Sequence, residues 1–205
     1  MTRIQVVAFD CDGVLFDTAE SNRNFYNALL NQLGMPDMTE TQFSFAHMHT
    51  VTETLAYLFR GEQLLGKAKS IKMQMSYTPF VKAMKMEPNL MPLLKKLHPA
   101  YKTAIATNRS DSMPTLLSEH DIEPYFDRIV SANDVPRPKP YPDQLNQLLD
   151  YFQVRPGQML YVGDSRVDEK AAKAAHVPLV AYDNPSLSAD YHIRSLKEIE
   201  DILQI

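Results

Sequence analysis

The chain has 205 residues, 44% of them hydrophobic and 22% charged, and a formal net charge of -4. That length buries one substantial core, or a core with a modest insert, and the composition excludes collagen, a disordered tail and a coiled coil. A mildly acidic surface attracts neither nucleic acid nor anionic lipid through a broad field, so no partner of either kind is expected and any bound anion must be held locally.

The N-terminal residues MTRIQVVAFDCDG show no signal peptide. No stretch is long enough to span a bilayer. The single cysteine, Cys11, cannot close an intramolecular disulfide, so a cytoplasmic protein is expected. Residues 4–9 (IQVVAF) form a short apolar run ending at Asp10, the pattern of a buried parallel strand. From about residue 18 to 85 no such run occurs. There Phe25, Leu29 and Leu33 share a helical face that stops at Gly34, and 39–48, 52–60 and 62–84 also follow helical spacing. Strand-like runs return at 101–107, 158–163 and 178–182, with a weaker one at 128–132. Helical patterns lie between or after them at 89–98, 143–152, 166–175 and 196–203. Alternation of this kind predicts an α/β fold, a doubly wound, Rossmann-like parallel sheet built from residues 1–16 and 86–205. A small all-helical domain, residues 17–85, is inserted after the first strand.

Polar, reactive residues stand at the ends of the apolar runs. Asp10 and Asp12 follow the first, and alternation along extended backbone points both the same way, with Cys11 opposite. Two carboxylates that close repel unless a cation or proton joins them, and Gly13 permits a tight turn. Thr107 and Asn108 end the second run, Lys139 sits in a proline-rich connection (PRPKPYP), and Gly163-Asp164-Ser165 ends another. Asp168 lies four positions after Asp164, a spacing that places both on one helix face. Taken singly, each has a plain structural role: an Asp-rich turn, a strand end, a solvated lysine, a helix cap. Together, several strand ends bearing reactive groups match the way a doubly wound sheet builds one site from distant segments.

These motifs, in this order, resemble those of the haloacid dehalogenase-like superfamily, over roughly two-thirds of the chain. The resemblance implies a magnesium-dependent phosphohydrolase acting on a small phosphorylated metabolite. Asp10 would be the nucleophile that forms an aspartyl-phosphate. Asp12 would protonate the leaving alcohol and then activate water, with its pKa raised by neighbouring carboxylates. Thr107 and Asn108 would hydrogen-bond the phosphoryl group, and Lys139 would bind its oxygens and the nucleophile. Asp10, the Asp12 backbone carbonyl and Asp164 would ligate Mg²⁺, with Asp168 a direct or water-mediated support.

The second acid, Asp12, separates phosphoryl transfer from dehalogenation. The helical insert and DGVLFDTAE resemble the capped branch that holds phosphoglycolate phosphatases and β-phosphoglucomutases, where the cap selects the substrate. Three departures stand out. The cap loop FAHMHTVTE has no glycine, Thr50-Val51-Thr52 stands where the mutases carry an arginine, and His176 replaces a glycine after the Ala-rich helix. His47 and His49 fit either substrate contact or packing, and Arg109, Arg137 and Arg166 are expected as rim charges. Hydrolysis of a phosphoglycolate- or sugar-phosphate-like ester is the leading expectation. Mutase-like transfer and a non-catalytic binding role are the alternatives, and the oligomeric state is left open between monomer and dimer.

Overall fold

The computed structural model describes residues 3–205. Six parallel strands form one sheet: β1 (Val6–Phe9), β4 (Lys102–Ala106), β5 (Arg128–Val130), β6 (Met159–Gly163), β7 (Leu179–Tyr182) and β8 (Tyr191–Ile193). Their order is β5-β4-β1-β6-β7-β8. The chain winds outward from β1 in one direction, returns, and winds outward in the other. This is the doubly wound arrangement, and its ligand crevice lies beyond the C-terminal ends of the central strands, where the order reverses.

The sheet is covered on both faces, as a parallel sheet must be. Alternate residues of β1 go to opposite sides. Val7 and Phe9 join the cluster that includes Leu93, Leu94 and Leu97 of α6 (Leu90–Leu97), while Val6 and Ala8 join Leu145 and Leu148 of α8 (Asp143–Phe152). α7 (Met113–Glu119) and α10 (Ile199–Leu203) lie with the first cluster, and α9 (Arg166–Ala175) with the second. Each fully buried Leu or Phe side chain contributes roughly 1.5–3 kcal/mol.

The insert consists of α1 (Ala19–Gln32), α2 (Glu40–Met48), α3 (Val51–Leu58), α4 (Glu62–Gln74) and α5 (Thr78–Lys82). A hydrophobic cluster drawn from residues 25 to 80 alone, including Phe25, Leu29, Leu55 and Phe59, joins these helices. Gly34 takes φ +69° after α1, the left-handed stop expected there. Thr39 and Thr50 start α2 and α3 with capping boxes to Gln42 and Glu53. A two-stranded antiparallel ribbon, β2 (Phe16–Asp17) with β3 (Lys85–Met86), joins the chain where it leaves the sheet to where it returns.

Besides the β2–β3 ribbon, the structure departs from the expected elements at three places. The helix expected over 62–84 is two: α4 ends at Gln74 and α5 begins at Thr78, with Pro79 in its first turn, where the missing N–H costs no helical bond. α7 begins the same way, with Pro114 in its first turn, and was not anticipated. β8 is an edge strand with only Ile193 of its three residues buried, so it carries no continuous apolar run.

Candidate active site

Asp10 follows β1, Thr107 and Asn108 follow β4, and Asp164 follows β6, so the parallel register of these strands brings all of them to one end of the sheet. Together with Asp12 and Lys139 they line a cavity closed on its other side by the helical insert through Phe25, Tyr26, His47, Tyr77 and Phe80. Every motif residue except Asp168 lines it directly, and Asp168 sits just behind.

Lys139 is the hub. Its ammonium, with the side chain 1% exposed, lies 2.9 Å from Asp10 Oδ1, 2.7 Å from Asp168 Oδ1 and 2.9 Å from the Tyr161 hydroxyl. Burial opposes its charge, but the two carboxylates outweigh that, and its pKa is held above the ordinary lysine value. A fully buried lysine without such partners would shed its proton, so the cluster explains why it can be buried charged.

Asp168 has no exposed surface and accepts from four donors. Lys139 and the Tyr161 hydroxyl, at 2.8 Å, share Oδ1; the Ser165 backbone N–H, at 3.0 Å, and the Ser165 hydroxyl share Oδ2. Burial pushes its pKa up, yet the pairing with Lys139 wins and holds it below the usual carboxylate range. Asp164 and Asp168 are not on one helix face. Asp164 precedes the Ser165 N-cap of α9, and only Asp168 is helical. The four-residue spacing spans the helix start, where side chains do not follow helical rotation.

Asp10 accepts from the Cys11 backbone N–H at 2.7 Å through Oδ1, the oxygen that also faces Lys139. Burial first, opposed by Lys139 and reinforced by Asp168, raises its pKa to about 7. Asp164 is raised to about 8 by burial and by Asp168 and Asp10. Two glycines let these acids approach. A Cβ on Gly13, at φ +80°, would stand 2.1 Å from Asp164 Oδ2, and one on Gly163 would stand 2.4 Å from Asp168 Cβ.

Two expectations are corrected here. Arg109 is no rim charge: its side chain is 7% exposed and its guanidinium forks onto Asp12, Nε to Oδ2 at 3.0 Å and a terminal nitrogen to Oδ1 at 2.5 Å. Consequently Asp12 is not raised. Burial alone would raise it, but the Arg109 fork prevails and holds the carboxyl well below its usual range. Arg137 and Arg166 do sit outside, paired with Asp143 and Glu169.

The site also uses residues that motif reading passed over. Gln144, with no exposed surface, accepts from the Lys139 backbone N–H at 3.2 Å and donates to the Thr107 carbonyl at 2.6 Å, tying two strand-end loops together. Its signal was an amide one turn before Leu148 on the apolar face of α8. Tyr161 was the one polar side chain in a wholly buried strand. Asn108 donates to the carbonyls of Lys139 at 2.9 Å and of Met48, in the insert, at 3.4 Å. His47 and His49 both line the cavity, and His49 also stacks on Phe45 with ring centroids 3.8 Å apart. Cys11 is fully buried and its thiol pKa is pushed up by burial, as suits a filler rather than a nucleophile.

The acids fit a hard divalent cation. Asp10, Asp164 and Asp168 each offer an oxygen, all within 4.8 Å of one another, and the raised Asp10 and Asp164 mark a cluster short of positive charge. Mg²⁺ prefers such oxygen ligands.

The family model for haloacid dehalogenase-like hydrolases matches residues 7–182. A phosphoglycolate phosphatase of Vibrio vulnificus (strain CMCP6) is 27% identical over 230 residues, spanning 98% of this chain and 97% of that protein. Another, from Nitrosospira multiformis, is 30% identical over 218 residues, spanning 98% and 96%. The crystal structure of a haloacid dehalogenase superfamily hydrolase, subfamily IA, variant 1, from Geobacter sulfurreducens PCA superposes with a TM-score of 0.80 at 35% identity, covering 98% of this chain and 96% of that one. With motif order, strand-end placement and these similarities in agreement, the chain belongs to the haloacid dehalogenase-like hydrolase family and is a phosphatase-type enzyme of it.

Proposed function

We propose that the protein is a cytoplasmic, Mg²⁺-dependent phosphatase that hydrolyses a small phosphomonoester, of the phosphoglycolate kind, through an aspartyl-phosphate on Asp10. The observation that carries this reading is the Lys139 ammonium held between Asp10 and Asp168 at the base of a cavity that Asp12, Thr107, Asn108 and Asp164 also line. A binding protein needs no buried cation beside a carboxylate that is otherwise free to attack. Among the described residues, Asp10 Oδ1 takes both hydrogen-bonding contacts, which leaves Oδ2 for the phosphorus.

Asp10, Asp164 and the Asp12 backbone carbonyl would hold Mg²⁺, which supplies positive charge between the anionic nucleophile and the anionic phosphate. Asp168, whose oxygens also accept from Lys139, Tyr161 and Ser165, would support the ion directly or through water while fixing Lys139. Lys139 opposes the rise in the Asp10 pKa, favouring its ionised form, and would draw a phosphoryl oxygen towards it. Thr107, whose hydroxyl accepts from the Arg109 backbone N–H at 3.1 Å and keeps its own proton to donate, and the Asn108 amide nitrogen would hold the remaining oxygens. Asp10 Oδ2 bonds to phosphorus as the ester P–O bond breaks, and the departing alcohol takes a proton from Asp12, which first has to leave the Arg109 fork and take up that proton from the substrate phosphate or from water. Water then attacks the aspartyl-phosphate, gives its proton to Asp12, and releases phosphate with Asp10 restored.

The insert, residues 17–85, acts as a cap that shields this chemistry from bulk water, with the β2–β3 ribbon as its boundary. Thr50, Val51 and Thr52 form the start of α3 and bring no arginine to the cavity, which favours water over a sugar hydroxyl as the acceptor. The test is phosphate release from a panel of phosphomonoesters, with Mg²⁺ or EDTA, by wild type and Asp10→Asn. Metal-dependent release should vanish in the variant while its circular dichroism is retained. Turnover at wild-type rates in Asp10→Asn would sink the nucleophile assignment.

A further inference from the structure

Arg109 directly follows the Thr107-Asn108 pair and faces into the cavity on the side of Asp12, the residue given the leaving oxygen in the function proposed above. Besides its fork on Asp12, it donates to Asn22 Oδ1 at 3.1 Å and to Ser112 Oγ at 2.8 Å. A guanidinium carries five N–H groups. Four have acceptors among the described residues, and the fifth has none there.

The fork has a consequence for turnover. Both oxygens of Asp12 accept from Arg109 and Oδ1 also from Asn22 Nδ2 at 3.3 Å, so the fork is made to an ionised carboxylate, and Asp12 has to give up part of it to carry a proton to a leaving oxygen. A buried guanidinium that loses its carboxylate is strongly penalised unless another anion replaces it. A second carboxylate offers the same planar, two-oxygen edge that Asp12 offers now. Two further polar atoms of the cavity wall lack any partner among the described residues: the Tyr77 hydroxyl and His47 Nδ1, both buried and both contributed by the insert. Phe25, Phe80 and Met84 make much of the remaining wall apolar. Buried polar atoms without protein partners in such a wall are suited to ligand oxygens.

We propose that Arg109 is the receptor for a carboxylate carried by the leaving-group side of the substrate, and that this carboxylate releases Asp12 for its work. The proposal rests on the phosphatase reading above. In it, Arg109 exchanges Asp12 for the substrate's carboxylate, and the Tyr77 hydroxyl and His47 meet the outer carboxylate oxygen. Recognition and chemistry are thereby coupled. An ester with a neutral leaving group forfeits the ion pair and also leaves Asp12 in the fork, so its disadvantage falls on kcat as well as on KM.

The experiment measures kcat and KM in saturating Mg²⁺ for phosphoglycolate and for 2-hydroxyethyl phosphate, which is similar in size but ends in a neutral hydroxyl. The wild type should favour the acid by roughly 100-fold or more in kcat/KM, with part of the factor in kcat. In Arg109→Met the ratio should fall towards one, and Arg109→Lys, which keeps the charge without the fork, should lie between. Because Arg109→Met strips a buried carboxylate of its partner and can impair folding, the wild-type ratio is decisive by itself: equal kcat/KM for the two esters overturns the proposal. So does an unchanged ratio in folded Arg109→Lys and Arg109→Met, the result expected if Arg109 only holds Asp12 in place. Release from neither ester, nor from any other phosphomonoester, would remove the phosphatase reading and this proposal with it. Equal release removes this proposal alone.

Discussion

At the scale of single residues, the centre depends on buried polar groups that satisfy one another. Lys139, Asp10 and Asp168 are nearly or wholly inaccessible, and each charge is tolerable only because the others are placed against it. Gln144 matters for the same reason, although it touches no substrate. It joins the backbone of Lys139 to that of Thr107. Gln144→Leu is expected to cost about 1–3 kcal/mol through the two backbone groups left unpaired. It should also lower kcat as the two loops lose their common anchor. Urea unfolding and steady-state kinetics check both. A loss of stability with kcat unchanged would mean that the amide holds the fold but not the catalytic geometry.

At the scale of elements, the sheet presents reactive ends while the helices behind them set precision. α9 illustrates this at both termini. At its start, Asp168 accepts from Ser165 and from Lys139, so one side chain serves as helix cap and as support of the site. At its end, His176 holds φ +57°, a left-handed conformation that glycine adopts without strain and a Cβ-bearing residue does not. His176→Gly is therefore expected to stabilise the protein by about 1 kcal/mol. The helix end lies away from the cavity lining, so kinetic constants should hold. A variant that melts below the wild type would show that the His176 side chain makes a compensating contact.

At the scale of the whole molecule, folding gathers three carboxylates within 4.8 Å of one another, and stability depends on what neutralises them. Asp10 and Asp164 are raised to about 7 and about 8, far above the roughly 3.9 of an unfolded aspartate. Groups with raised folded pKa values add stability that is full below the unfolded value. It is lost as pH climbs through the folded values. The metal-free protein should therefore lose stability between about pH 4 and pH 8. Mg²⁺ competes with the protons on these carboxylates, so the rise in Tm on adding it should be small at pH 6 and larger at pH 8. Thermal melts with Mg²⁺ or EDTA across that range provide the check, and Asp164→Asn should shrink the pH 8 shift. An equal shift at both pH values, retained in the variant, would place the ion elsewhere. No helix among the described residues is long and apolar enough to cross a membrane.

Read alone, the sequence determined the parallel α/β core, the helical insert after the first strand, and the strand ends bearing Asp10, Asp12, Thr107, Asn108 and Asp164. These follow from periodicity along the chain and from side chains placed at the ends of apolar runs, both local properties. Where local signals were weak, as at the exposed edge strand β8 or the proline-started α5 and α7, the elements were missed or merged. Only the tertiary structure decided the pairings within the site. Arg109 and Asp12 are 97 positions apart, Lys139 and Asp168 are 29, and Gln144 and Thr107 are 37. No spacing rule reaches that far. Whether an arginine ends at the rim or on Asp12 depends on which loops the sheet order brings together, and burial then makes that encounter strong enough to reverse the expected shift of Asp12.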